Sequence, residues 1–259
     1  MRLGIFDSGV GGLTFAAAIK EVLPQHQIIY YGDTVHLPYG DKSPEAIIGF
    51  SKKISQFLVD QGCDAILIAC NSASATAYPA LIESKAFDLP IYNVIDPVID
   101  HLSDIDPESV IGVIGTRATI RSKVFKKKIR QKYSNMEVRS YPTPLLAPMI
   151  EDGFVHDAIS LGVVSRYLDR KKLKGIDQLI LGCTHYPLIE SDFRLALKGK
   201  AEVINPVGIV ARFLHERYAD SEPTTGEDMF FVSDLTDSFS KMAKTFFGKK
   251  VNLVEKNIW

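Results

Sequence analysis

A short pattern that occurs twice constrains this chain more than any other feature. Residues 62–70 read GCDAILIAC and residues 175–183 read GIDQLILGC, so Cys70 and Cys183 occupy the same position in the two copies. In each copy a run of aliphatic residues follows an aspartate and ends in a small residue and the cysteine. Short aliphatic runs bounded by turn residues are typical of central strands in a parallel sheet. We therefore predict two equivalent buried strands, each ending at a cysteine.

A second pattern also occurs twice in the chain. Residues 4–8 (GIFDS) and 112–116 (GVIGT) each combine a short strand with a polar turn. Strand and helix patterns alternate along the chain, and this predicts parallel sheets with helices on both faces. Helices are expected over 73–84 and 145–172, and over 123–133 with Ser122 as its cap. The fold class is therefore α/β. We predict two similar parallel-sheet domains related by pseudo-twofold symmetry, with the active site in the cleft between them.

The predicted domains are residues 1–95 with 208–259, and residues 96–207. The second unit is complete by about Pro206, so the last segment is expected to return to the first unit.

Composition excludes several function classes. Apolar residues make up 46% and charged residues 24% of the 259 positions, and the net charge is −1. These values are typical of soluble globular proteins and favour neither nucleic acid nor a membrane as a partner. No apolar run approaches the roughly 20 residues that a membrane helix needs. The first residues show no signal-peptide pattern, and three scattered cysteines are no disulfide framework, so we expect a cytoplasmic protein.

The two repeated cysteines are the candidate reactive groups. Most single cysteines are inert packing residues, and we interpret Cys63 in this way. For Cys70 and Cys183 the repetition favours function, because parallel α/β folds place their sites at the carboxyl ends of strands. Both thiols are predicted to precede a helix amino terminus, whose dipole is expected to lower their pKa.

Polar residues beside the thiols have two possible roles. Asp7 and His185 lie at corresponding edges of the two units, where each could cap a helix or exchange a proton with a thiol. The same ambiguity applies to five hydroxyl or amide residues, which could be N-caps or could donate hydrogen bonds to a bound carboxylate: Asn71, Ser72, Thr116, Thr119 and Thr184.

The glycine-rich turn at residues 9–12 loosely imitates a dinucleotide-binding fingerprint, with Asp33 at the end of the second strand. Thr14 stands where the third small residue should pack, and Asp7 would repel a pyrophosphate. We therefore expect no dinucleotide here, and we assign no metal site. The exposed N–H groups of such a turn could still hold a small carboxylate.

One thiol on each side of a small polar substrate suits two-base racemisation, since inversion requires a proton to leave one face of a carbon and return to the other. A thiol redox switch or a small-anion-binding module is the alternative from another class. A dinucleotide-dependent oxidoreductase is less favoured. The basic segment 121–130 is interpreted as a solvated helix face.

Together these motifs resemble the glutamate racemase family of the aspartate/glutamate racemase superfamily. The matching pieces are residues 7–12 (DSGVGG), 32–33 (GD), 38–40 (PYG), 70–74 (CNSAS), 115–116 (GT) with Thr119, Glu151, and 182–187 (GCTHYP). Ser72 departs from the family pattern, which usually has threonine there.

The resemblance implies a cofactor-independent enzyme that interconverts L- and D-glutamate and supplies D-glutamate for peptidoglycan. A related substrate such as aspartate, and a homodimer, stay possible. Cys183 would act on the L-enantiomer, assisted by His185 with Glu151 nearby, and Cys70 on the D-enantiomer, assisted by Asp7. The implied substrate-binding residues are Asp7, Ser8, Asp33, Pro38, Tyr39, Gly40, Asn71, Ser72, Thr116, Thr119, Thr184 and His185.

Overall fold

The computed structural model describes residues 1–224 and 226–259. Within these residues the strands are β1 (Arg2–Asp7), β2 (Gln27–Gly32), β3 (Ala65–Ile68), β4 (Ile91–Asn93), β5 (Val110–Gly115), β6 (Glu137–Pro142), β7 (Gln178–Gly182), β8 (Glu202–Ile204), β9 (Met229–Val232) and β10 (Leu253–Glu255). The α-helices are α1 (Leu13–Val22), α2 (Pro44–Asp60), α3 (Asn71–Thr76), α4 (Tyr78–Ser84), α5 (Asp96–His101), α6 (Arg117–Ser122), α7 (Val124–Lys132), α8 (Leu146–Glu151), α9 (Ala158–Leu168), α10 (Glu190–Leu197), α11 (Pro206–Tyr218) and α12 (Asp237–Phe247).

The strands form two separate sheets. The first has the order β10-β9-β2-β1-β3-β4 and the second the order β6-β5-β7-β8. Every strand pair is parallel. The order β2-β1-β3-β4 in the first sheet corresponds to β6-β5-β7-β8 in the second, so the predicted pair of similar parallel-sheet α/β units is confirmed.

The repeated cysteine segments form equivalent strands, β3 and β7, each beside the central strand of its sheet. All four residues of β3 and all but the first of β7 are buried, because helices cover both faces. A parallel strand buried on both faces must be apolar throughout, and this explains the aliphatic runs. Neighbouring parallel strands end at the same edge of a sheet. The residues after β1 and β3 therefore lie together in the first unit, and the residues after β5 and β7 lie together in the second.

Strands β9 and β10 complete the first sheet, where β9 pairs with β2. The last segment of the chain therefore lies with the first unit. The domain bounds at 95/96 and 207/208 stay a prediction.

Three helix predictions were wrong in detail. The stretch 73–84 is divided at Ala77 into α3 and α4, because Pro79 has no N–H to donate to the preceding turn. The helical stretches predicted within 145–172 are α8 and α9, and the loop between them is the part that was not predicted. The basic helix α7 follows Lys123, whose φ of 59° separates it from α6. The N-cap residue of α7 is Lys123 rather than the predicted Ser122, whose Oγ accepts a hydrogen bond from the N–H of Val124 at 3.2 Å. No α-helix among the described residues combines the length and the apolar character needed to cross a membrane.

Candidate active site

A cavity of about 150 Å³ lies between the carboxyl edges of the two sheets. Its walls come from both units: Ser8, Gly9, Leu37, Pro38, Tyr39, Gly40, Cys70, Asn71 and Ser72 from the first, and Thr116, Ala147, Pro148, Glu151, Cys183, Thr184 and His185 from the second. Both repeated cysteines therefore face one cavity. A larger cavity of about 730 Å³ on the second unit is lined by no cysteine or histidine.

Three predicted site residues do not line this cavity: Asp7, Asp33 and Thr119. Four lining residues were not predicted: Gly9, Leu37, Ala147 and Pro148. Ala147 and Pro148 reach the cavity because α8 begins just before them, and no chemical feature of their side chains signals this role. Gly9 could have been found from its place in the polar turn after β1.

The Cys70 thiol is 4% exposed and precedes α3. Its Sγ donates a weak hydrogen bond to Ser8 Oγ at 3.6 Å. Burial, followed by the negative charge of Asp7, raises the pKa of Cys70 to about 12. The predicted lowering of this pKa by a helix dipole was therefore wrong, because desolvation outweighs one short helix.

Asp7 lies directly behind the part of the cavity wall that Cys70 forms, and its side chain is completely buried. Its Oδ2 accepts hydrogen bonds from the N–H groups of Gly9 at 3.3 Å and Gly12 at 3.0 Å, while Oδ1 has no partner among the described residues. Burial raises the pKa of Asp7 above its ordinary value, and the charge of His185 and these N–H groups oppose the rise. Asp7 thus fixes the turn and can also carry a proton close to Cys70.

Cys183 has a different partner. Its Sγ lies 3.7 Å from His185 Nδ1, and His185 Nε2 lies 2.8 Å from Glu151 Oε1. Burial disfavours the charged imidazole, but the hydrogen bonds to Cys183 and Glu151 outweigh it and raise the pKa of His185 well above its ordinary value. No α-helix follows Cys183 directly, contrary to prediction, because residues Tyr186–Ile189 form a 3-10 turn.

The two units approach each other closely at Gly11. A Cβ added there would lie 2.6 Å from Thr184 Oγ1 and 2.8 Å from His185 Cε1. Only a residue without a side chain fits this position. Gly11 therefore lets the Asp7 turn of the first unit approach the His185 turn of the second.

Hydroxyl groups also join the two units. Ser72 Oγ lies 2.8 Å from Thr116 Oγ1, which lies 3.1 Å from Thr119 Oγ1. Thr116 also caps α6 by accepting a hydrogen bond from the N–H of Thr119 at 3.2 Å. Thr119 lies behind Thr116 and not on the cavity wall. By contrast, the buried Asn71 side chain lines the cavity, and its Nδ2 has no partner among the described residues.

Asp33 supports the wall and does not form part of it. Its fully buried carboxylate accepts hydrogen bonds from the Tyr39 hydroxyl at 2.6 Å and from Ser233 Oγ at 3.0 Å, and His36 Nδ1 lies 3.0 Å away. Burial and this carboxylate raise the pKa of Tyr39, which keeps its proton. The predicted contact of Asp33 with substrate is replaced by a role in holding Tyr39 against the cavity.

Comparisons with known proteins identify the family of this chain. The Asp/Glu/hydantoin racemase family model matches residues 14–214. The glutamate racemase of Persephonella marina is 40% identical over 98% of this chain and 96% of its own length, and that of Aquifex aeolicus is 37% identical over 97% and 96%. The crystal structure of glutamate racemase from Francisella tularensis in complex with D-glutamate superposes with a TM-score of 0.91, at 34% identity over 99% of this chain and 97% of that one.

The fold and the site with its two thiols together define the class of this protein. It is a racemase built from two similar α/β units. The chain belongs to the Asp/Glu/hydantoin racemase family and, within it, to the glutamate racemase family.

Proposed function

We propose that this protein interconverts L- and D-glutamate by proton transfer to and from two cysteines. The observation that carries the proposal is that Cys70 and Cys183 line one small cavity from opposite units, each with its own ionisable neighbour. Inversion at carbon requires an acid and a base on opposite faces of the substrate. The two units have corresponding sheets, and each unit supplies one cysteine thiol to one face of the substrate.

The surroundings of the thiols favour a definite starting state. The pKa of Cys70, about 12, keeps this thiol protonated at neutral pH. The raised pKa of His185 places a charged imidazole beside Cys183, where it stabilises a thiolate. The protein without substrate is thus prepared for Cys183 to accept a proton and for Cys70 to donate one, which corresponds to the L-to-D direction.

In that direction the bond between the substrate α-carbon and its hydrogen breaks, and the proton passes to Cys183 Sγ. The electron pair remains on the α-carbon, which then takes the proton of the Cys70 thiol on the opposite face. The products are D-glutamate, a Cys183 thiol and a Cys70 thiolate. The starting state is restored when the Cys70 thiolate takes up one proton and the Cys183 thiol releases one, so the number of bound protons is unchanged. Asp7 and His185 lie beside these two thiols and influence the two transfers through their charges.

An α-proton is weakly acidic, so the carbanion-like transition state requires stabilisation in a site without bulk water. Both thiols are at most 5% exposed. The unpaired Nδ2 group of Asn71 provides a buried donor to a substrate carboxylate. Preorganised donors of this kind lower the barrier more than mobile water does.

The test is exchange of the α-proton of glutamate in D₂O with no added cofactor. The wild-type protein should incorporate deuterium and racemise either enantiomer. Cys70→Ser and Cys183→Ser should each abolish racemisation. Cys63→Ser is the matched control, because Cys63 is also buried but does not line the cavity. Near-wild-type racemisation by both site variants would refute the two-thiol mechanism.

The same assay with aspartate tests the substrate, and we expect glutamate to be preferred. The D-glutamate produced would serve peptidoglycan synthesis. A cytoplasmic location and a homodimer are parts of this proposal that fractionation and light scattering can test.

A further inference from the structure

Another cavity, of about 370 Å³ and distinct from the two described above, lies on the second unit among residues of α7, strand β6 and the turn Lys171–Leu173. Strand β6 is the edge strand of its sheet. Eight residues line the cavity, and five of them are cationic: Lys123, Lys126, Lys127, Arg130 and Lys172. Segments distant in sequence thus converge on one concave basic site.

The positively charged residues of α7 form two sets, one paired with acidic residues of α5 and one facing the cavity. Lys128 pairs with Asp96 at 2.6 Å, and Lys132 pairs with Asp100 at 2.6 Å, both on α5. None of the five cavity cations forms an ion pair or a side-chain hydrogen bond with any other residue that the structure describes. The acidic residue on β6, Glu137, is held by Arg139 at 2.8 Å. The fold therefore pairs the lysines outside the cavity and leaves the five cations around it without an ion pair among the described residues, although the charge of Glu137 is felt at Arg130 and Lys126.

Like charges gathered around one cavity repel one another, and the repulsion is relieved when an anion enters. We propose that this cavity binds a compact anion of the polyphosphate class, with at least three negative charges. Four cations of segment 123–130 and Lys172 from the turn Lys171–Leu173 can contact several phosphoryl oxygens at once, and Ser140 provides a hydroxyl group. A single monovalent anion would leave most of the charge uncompensated.

The shape of the site favours a small ligand over a nucleic acid. The basic residues enclose a concave volume with Ile120 and Val138 in its wall, whereas duplex DNA requires an extended basic surface that follows its phosphates. The net charge of the chain is −1, which gives no general attraction for polyanions. Binding is therefore expected to depend on these particular side chains.

The cations could instead only protect the open edge of β6 from pairing with another chain, a common use of lysine on edge strands. The two roles differ in a measurable way. Edge protection requires positive charge but no saturable binding, whereas a ligand site requires one anion to bind with defined stoichiometry.

The experiment is isothermal titration of the full chain with sodium tripolyphosphate in about 0.1 M salt, where long-range attraction is largely screened. We expect one saturable site, and much weaker binding of inorganic phosphate. Lys126→Gln combined with Lys172→Gln should weaken tripolyphosphate binding at least tenfold. The matched control is Lys128→Gln combined with Lys132→Gln, which removes the same charge from the paired lysines and should change binding less than twofold.

Circular dichroism of each variant verifies that it is folded. The proposal is overturned if tripolyphosphate gives no saturable heat, if both double variants weaken binding equally, or if inorganic phosphate binds as tightly. Tighter binding of a short DNA duplex than of tripolyphosphate would also overturn it. Racemase activity is not part of this readout, so the outcome is independent of the proposed function.

Discussion

The Ser72 hydroxyl lies 2.8 Å from that of Thr116 and so joins the two units at the wall of the cavity. The first residue follows the Cys70 strand, and the second follows the central strand of the other sheet. This hydrogen bond therefore fixes the position of one cavity wall relative to the other.

Removal of this bond should weaken substrate binding more than it slows chemistry. A net hydrogen bond contributes about 1 kcal/mol, so Ser72→Ala is expected to raise KM about fivefold. Ser72→Thr keeps the hydroxyl and should retain most of the affinity. Steady-state racemase kinetics, followed by polarimetry or circular dichroism, measure both variants. Equal loss in the alanine and threonine variants would show that the hydroxyl is not the important group.

Gly11 should tolerate no side chain. In Gly11→Ala the new Cβ would meet Thr184 Oγ1 at 2.6 Å and His185 Cε1 at 2.8 Å, so these two side chains must shift or the two units must move apart. Displacement of reacting groups by about 1 Å can cost 10²-fold in rate, and we expect a loss of that order in kcat. Gly9→Ala is the comparison, because its Cβ would meet only Leu37 Cδ2, at 3.8 Å. Similar kcat values for the two variants would contradict the close approach at Gly11.

Glu151 is expected to control the protonation of His185. Its carboxylate raises the pKa of that imidazole, so Glu151→Gln should lower the pKa. The charged imidazole is present below its pKa and lost above it, so racemase activity should fall at a lower pH in the variant. The maximal rate should decrease about tenfold, less than for loss of a general acid or base itself. A pH–rate profile measures this, and an unchanged basic limb would count against the assigned role.

Asp7 should be important for activity and unfavourable for stability. Its pKa is raised by burial, so the folded protein binds a proton more tightly than the unfolded chain does. The native state is therefore destabilised as pH rises above the unfolded value, near 3.8. Asp7→Asn should be more stable than the parent at pH 8 by about 1 kcal/mol. This advantage should shrink as the pH falls toward 4, because the raised pKa lets the carboxyl take up a proton in the folded state.

Urea denaturation at the two pH values measures the Asp7→Asn effect, and racemase assays on the same samples should show a large loss of activity. A variant that is less stable than the parent at pH 8 would show that the Gly9 and Gly12 hydrogen bonds outweigh the cost of burying the charge.

The sequence predicts the arrangement of the sheets well because their pattern depends on burial. A strand covered on both faces must be aliphatic, and the repeated runs before Cys70 and Cys183 therefore identify β3 and β7. Alternation of helices and strands then requires parallel pairing. Breaks within helices are less visible, because the division between α3 and α4 depends on one proline and that between α6 and α7 on the φ of Lys123.

Side-chain environments could not be predicted from neighbours in the sequence. The family resemblance implied that Asp33 contacts the substrate. Its partner Ser233 lies in the distant segment after β9, which buries the carboxylate behind the wall. The pKa of Cys70 was also mispredicted, since a short helix is evident in the sequence but complete desolvation and the charge of Asp7 are not.

The pairing of β9 with β2 has a consequence for synthesis of the chain. Until residues 229–232 emerge from the ribosome, β2 is the open border of its sheet, with six buried, mostly apolar residues, Gln27–Gly32. Such a border can pair with any free strand nearby. We infer that nascent or truncated chains lacking β9 are prone to aggregate through this segment, and that a chaperone has most to protect until β9 has been translated.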